Sequence, residues 1–145
     1  MIRPYQEADR SALLAIMQHH IPEFFDPAEL KDFDQYLQSE LEDYFVVEED
    51  GKVLAGGGIN YLSDSKRARI SWDMVHSDHV GKGIGGKLLE HRIDLIRQQG
   101  SFESIDVRTS QLAIDFYHRF GFQMIAEESD YWGAGIDLKH LLLQL

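Results

Sequence analysis

Val80-Gly81-Lys82-Gly83-Ile84-Gly85-Gly86 packs four glycines into six residues, between a strand-like run at 70–75 and a helical pattern over 84–99. Glycine has no Cβ, so the main chain can turn sharply there and approach a ligand closely. The first N–H groups of a helix lack intrahelical acceptors and carry the positive end of its dipole. Strand, glycine turn, helix is therefore an anion site, suited above all to phosphate.

The letters fit three loop templates. Gly81, Gly83 and Gly86 satisfy the dinucleotide fingerprint G-x-G-x-x-G. Gly81 through Lys87 satisfies a Walker A loop up to its last position, where Leu88 replaces the metal-binding hydroxyl. Val80 through Gly85 comes within one residue of an acyl-CoA loop, R/Q-x-x-G-x-G/A. A turn that needs glycine only for packing is the plain alternative, so the rest of the chain must choose.

The totals bound the choice. A chain of 145 residues is expected to form a single domain, 1–145, large enough for a proper core. The formal net charge of −11 argues against nucleic acid and mildly favours a cationic small partner. No apolar run approaches the roughly 20 residues that span a bilayer, so no membrane partner is expected. There is no cysteine, hence no disulfide and no thiolate nucleophile, and the cytoplasm is the expected compartment. The seven histidines are scattered without ligand spacing, so no metal site is expected.

Taken in order, the pattern predicts a short strand at 2–3 and a helix over 7–20. Asp26-Pro27-Ala28-Glu29 reads as a capping box opening a second helix. Strands follow at 44–48, 52–62 and 67–75, the first pair joined by an Asp50-Gly51 turn. Gly56-Gly57-Gly58 inside the second suggests a bulge or a close approach of another backbone. Alternation along 67–75 puts Ile70, Trp72 and Met74 on one face and Ser71, Asp73 and Val75 on the other. After the 84–99 helix come a strand at 104–108, a short helix capped by Ser110 and ended by Gly121, a strand at 122–126, a loop over 127–135 and a last strand at 136–143. The apolar end of that strand, Leu141-Leu142-Leu143, could be an edge on which two copies pair as a homodimer; core packing is the alternative.

The Walker reading fails at Leu88. The dinucleotide reading has an acid, Asp106, 20 residues beyond Gly86. That acid lies inside a strand, however, and too little chain follows for a doubly wound sheet. The acyl-CoA reading gains a second motif, because Phe116-Tyr117-His118-Arg119-Phe120-Gly121-Phe122 matches F-Y-x-x-x-G-F. With Trp72-Asp73-Met74-Val75-His76 leading into the glycine loop, residues 53–143 closely resemble the GNAT superfamily of acyl-CoA-dependent N-acyltransferases.

That resemblance implies an α+β fold, a mostly antiparallel twisted sheet of six to seven strands flanked by about four helices. It implies an enzyme that moves an acetyl group from acetyl-CoA to a primary amine of a small molecule or peptide in a ternary complex. The pantetheine arm would pair with the backbone of Met74, Val75 and His76, and the pyrophosphate with the N–H groups around Val80, Gly81, Lys82, Gly83, Ile84, Gly85 and Gly86. Met74 or Val75 would supply the oxyanion N–H, and Tyr117, flanked by Phe116, the general acid. Asp73 is the first candidate for general base. Phe24, Phe25, Asn60, Tyr61, Tyr131 and Trp132 would form the acceptor pocket. Two positions depart from the family pattern: Val80 stands where Arg or Gln is usual, and Ser110 where Asn is frequent. They leave room for a rival, an acyl-CoA-binding sensor of the same fold without turnover.

Overall fold

Asp50 and Gly51 take φ of 52° and 77°, the pair of left-handed conformations that a two-residue hairpin turn with the right twist requires. They join β2 (Asp43–Glu49) to β3 (Lys52–Leu62), and a tight turn leads on to β4 (Arg67–Val75). The computed structural model describes residues 1–145, and its other strands are β1 (Ile2–Pro4), β5 (Ser104–Thr109), β6 (Gln123–Gly133) and β7 (Ile136–Gln144). They form one seven-stranded sheet in the order β1-β2-β3-β4-β5-β7-β6. Every neighbouring pair is antiparallel except β4 and β5, which run parallel. The expected α+β architecture is thus the one observed.

Helices α1 (Arg10–His19) and α2 (Pro27–Gln35) cover one face, over a core that includes Leu13, Met17, Phe33, Tyr36 and Tyr44. Helices α3 (Ile84–Gln99) and α4 (Ile114–His118) cover the other, over Ile70, Leu89, Ile93, Ile105 and Tyr117. The capping box at α2 forms as its sequence dictates. Asp26 Oδ2 accepts from Ala28 N–H at 3.0 Å, and Glu29 Oε2 accepts from Asp26 N–H at 2.8 Å. Beyond Gln35 the helix widens into a π turn, Tyr36–Glu40, that carries Tyr36 and Leu37 into the core.

Four expectations need correction. First, β4 does not alternate through its length. Gly56 pairs with Met74 but Gly58 with Ser71, so two residues, Trp72 and Asp73, oppose Gly57. Trp72 takes φ of 51° in this bulge. Ile70 therefore faces α3, whereas Trp72 and Met74 face α1 and α2. Second, of the two readings of the triple glycine the bulge is the one observed, and what comes close is side chains rather than another backbone. A Cβ at Gly56 would meet Leu13 and Tyr44, one at Gly57 would strike Asp73 and Arg92, and one at Gly58 would strike Tyr36.

Third, the 127–135 segment is not a loop, because β6 continues to Gly133. The polar run Glu127-Glu128-Ser129-Asp130 has weak strand preference, and the ladder to β7 is irregular there, with Asp130 at φ of 54°. Backbone pairing and the Lys139–Glu127 ion pair hold it to the sheet. Fourth, β7 lies between β5 and β6 and Leu141 is fully buried, so that strand is core and offers no edge to a second copy.

Candidate active site

The parallel ladder between β4 and β5 stops at Ile70 and Val107, so residues 71–75 have no strand partner on that side. His76 N–H donates to Leu54 C=O at 2.7 Å. Antiparallel pairs alternate between bonded and non-bonded positions. Met74 is accordingly in bonded register with Gly56, and the N–H and C=O of Val75 face the gap. His20 Nε2 lies 2.6 Å from that carbonyl, close enough for a ring N–H to donate to it. A cavity of about 610 Å³ fills the gap. Val75, Val80, Gly85, Ser110, Phe116 and Tyr117 line it on the α3/α4 face, and Phe24, Phe25, Glu29, Tyr36, Asn60 and Trp132 towards the other.

The glycine loop sits at the first of these walls. Gly81 and Gly83 both adopt φ of 83°, with open space where a Cβ would lie. The first backbone hydrogen bond of α3 runs from Lys87 N–H to Gly83 C=O at 3.1 Å. The N–H groups from Gly81 through Gly86 find no acceptor in the protein, which leaves a row of donors at the helix start. Gly85 and Gly86 serve packing as well, since a Cβ on Gly86 would lie 3.0 Å from Phe120 Cζ. The Val80 side chain is exposed. His76 turns its Nδ1 back to accept from Asp78 N–H at 3.1 Å.

A buried polar chain lies behind the gap. Tyr117 Oη donates to Asp73 Oδ2 at 2.5 Å. Asp73 Oδ1 pairs with Arg92 Nη2 at 2.5 Å, and Arg92 Nη1 donates to Gly58 C=O at 3.0 Å. Burial, then the neighbouring Asp73 charge, push the Tyr117 hydroxyl well above the usual phenol range, so it keeps its proton. Ser110 caps the short turn before α4 by accepting from Leu112 N–H at 3.3 Å.

Of the expected acceptor residues, Phe24, Phe25, Asn60 and Trp132 line the cavity. Trp132 is fixed by its Nε1–H bond to Thr109 C=O at 3.0 Å. Tyr61 does not belong to the cavity. Strand alternation turns it to the α3 face, where it stacks on Phe102 and donates to Asp43 at 2.5 Å. Tyr131 also stays outside, its hydroxyl accepting from Arg108 at 2.7 Å. Asp106, the acid of the dinucleotide reading, is wholly buried and held by Arg69 at 3.0 and 2.9 Å and by His140 at 2.7 Å, so it is structural.

The sequence reading missed Arg92, Glu29 and Tyr36. Arg92 carries a legible signal: Ile84, Leu88, Arg92 and Ile96 share one helical stripe, and a lone arginine in an apolar stripe implies a buried partner. Glu29 reads only as a capping-box acid, yet it is 7 % exposed. Burial, with Asp26 and Asp32 nearby, raises its carboxyl to about 7 although the Asp26 N–H bond pulls the other way.

The sheet is thus split between two parallel strands, with a row of free N–H groups at one lip and a buried tyrosine below. The family model for the acetyltransferase (GNAT) family matches residues 13–122, and the chain belongs to that family. The family is one of acetyltransferases. It is 36% identical over 77 residues to N-alpha-acetyltransferase 50 of Danio rerio, covering 51% of this chain and 46% of that one. The chain spans between about a fifth and about half of the length of the curated relatives it matches. Among solved structures, it superposes on the ribosomal-protein-S18-alanine N-acetyltransferase of Escherichia coli with a TM-score of 0.82 at 22% identity, covering 99% and 92% of the two chains. An aminoglycoside 6'-N-acetyltransferase complexed with coenzyme A gives 0.78 at 10% identity, covering 99% and 96%. At such identities the likeness is one of fold.

Proposed function

We propose that this chain is a cytoplasmic N-acetyltransferase that passes the acetyl group of acetyl-CoA to a primary amine, by direct attack with both substrates bound. The observation that carries this is the gap beside Val75, where a free strand edge and the unpaired N–H row of the glycine loop serve one cavity. The residues present fit the cofactor. N–H groups from Gly81 through Gly86 suit a pyrophosphate, and the edge of residues 71–75 that β5 leaves without a strand partner suits an amide-bearing arm. When bound, acetyl-CoA supplies a thioester whose carbonyl carbon an amine can attack.

The chain's own groups then act as follows. Val75 N–H donates to the carbonyl oxygen where negative charge develops. Tyr117 holds a proton on Oη that would pass to the leaving sulfur by rotation of the hydroxyl away from Asp73, and the proton shed by the attacking nitrogen would restore the phenol through water. Both oxygens of Asp73 are engaged, one by Arg92 and one by Tyr117. That favours a positioning role for Asp73 over the base role. Phe24, Phe25 and Trp132 line the acceptor side.

Titration calorimetry with acetyl-CoA, followed by thiol release over a panel of amines, tests the reading; no binding at millimolar cofactor overturns it. The double engagement of Asp73 is the one observation that favours the sensor reading, which predicts binding without thiol release for every amine. Relatives named for a protein alanine and for streptothricin point to peptide and small-molecule acceptors alike.

A further inference from the structure

We infer that Glu29 is the acceptor-binding carboxylate and that it holds a second cationic group, an ammonium or guanidinium carried by the substrate apart from the nitrogen that is acetylated. The inference rests on the amine-acetyltransferase reading of the same cavity. Glu29 lines that cavity and is 7 % exposed. Its Oε2 accepts from Asp26 N–H at 2.8 Å, while Oε1 receives no donor from the protein. The charges that bear on it are those of Asp26 and Asp32, both acidic. A carboxylate taken out of water needs a cation or a proton. Here the protein supplies no cation.

The positive groups lining the cavity are committed elsewhere. Arg69 holds Asp106, Arg92 holds Asp73, and Arg108 donates to Tyr131 and lies over its ring at 5.2 Å. Glu40 adds another acid to the same cavity, whose lining also holds His20. Phe25, Tyr36 and Trp132 line the same cavity as Glu29, and aromatic rings suit a cation. The nitrogen that attacks must be neutral, and a carboxylate gripping it as an ammonium would oppose attack. The cation at Glu29 is therefore a different one, and the substrate is a diamine or a peptide amine with a basic side chain.

The test compares a series of α,ω-diamines with monoamines of matched length on the wild-type chain and on Glu29→Gln. Glutamine keeps an oxygen for Asp26 N–H, so the cap survives, and thermal melting checks that the variant is folded. The wild type should prefer diamines by about tenfold or more in kcat/KM, the scale of one charge-assisted bond. Glu29→Gln should erase that preference through KM, with kcat and the acetyl-CoA Kd unchanged. A purely structural Glu29 would leave the diamine-to-monoamine ratio where it was, and that result overturns the inference. An equal fall in kcat for both series would make Glu29 a base and overturn it too. If acetyl-CoA binds but no amine releases thiol, the transfer reading fails instead. Calorimetric diamine binding then decides about Glu29, and an affinity unchanged by Glu29→Gln rejects it.

Discussion

Tyr117 and Arg92 carry opposite kinds of test. Tyr117→Phe removes one hydroxyl from a tyrosine otherwise packed on Phe116 and Phe122. Thiol release should fall about a hundredfold, the usual scale for loss of a general acid, while calorimetry finds the acetyl-CoA Kd unchanged. Arg92→Met does the reverse. It strands the partly buried Asp73 without its counter-ion, and urea denaturation should record a loss of about 3 kcal/mol. Adding Asp73→Asn to Arg92→Met should recover part of that loss, because the cost lies in the unpaired charge. Tyr117 is legible in the sequence through its motif. Arg92 can be noticed only as an interruption, and its partner cannot, since Asp73 reaches it across a bulge that no local pattern announces.

The glycine loop makes a claim about an element. Gly83 precedes α3 at φ of 83° with open space around its missing Cβ. Gly83→Ala should thus cost roughly 1–2 kcal/mol in conformation alone. Because the strain falls on the donor row itself, calorimetry should also show weaker acetyl-CoA binding. Val80→Arg should move the affinity the other way, severalfold, since the exposed Val80 side chain leaves room for a guanidinium beside the N–H row. The bounds of β3, β4 and α3 are readable because glycine, turn residues and period mark both of their ends. The far half of β6 is not, because polar residues on an edge strand imitate a loop. The fate of Tyr61 was equally hidden: it follows from which side of β3 each residue takes, and that depends on the register with β4.

Across the fold, acidity should act in two directions. The Arg3 hydrogen bonds hold Asp9 below its ordinary range. Burial pushes Asp106 up, but Arg69 and His140 together outweigh it and keep it low. Both acids give stability that is present at neutral pH and lost as pH falls through their lowered range. Glu29 has the opposite sign. Its carboxyl is raised from 4.5 to about 7, so its contribution is complete below 4.5 and disappears as pH rises through 7. Denaturation curves should place the optimum on the acidic side of neutrality. Glu29→Gln should flatten the alkaline limb by no more than about 3 kcal/mol. The break between β4 and β5 has a further effect on traffic. A corridor that pierces a sheet has two doorways, and the nucleotide and the amine can use different ones. Initial-rate plots should then intersect rather than run parallel, and spent coenzyme lingering at its own threshold should compete with fresh donor while leaving the amine's way in clear.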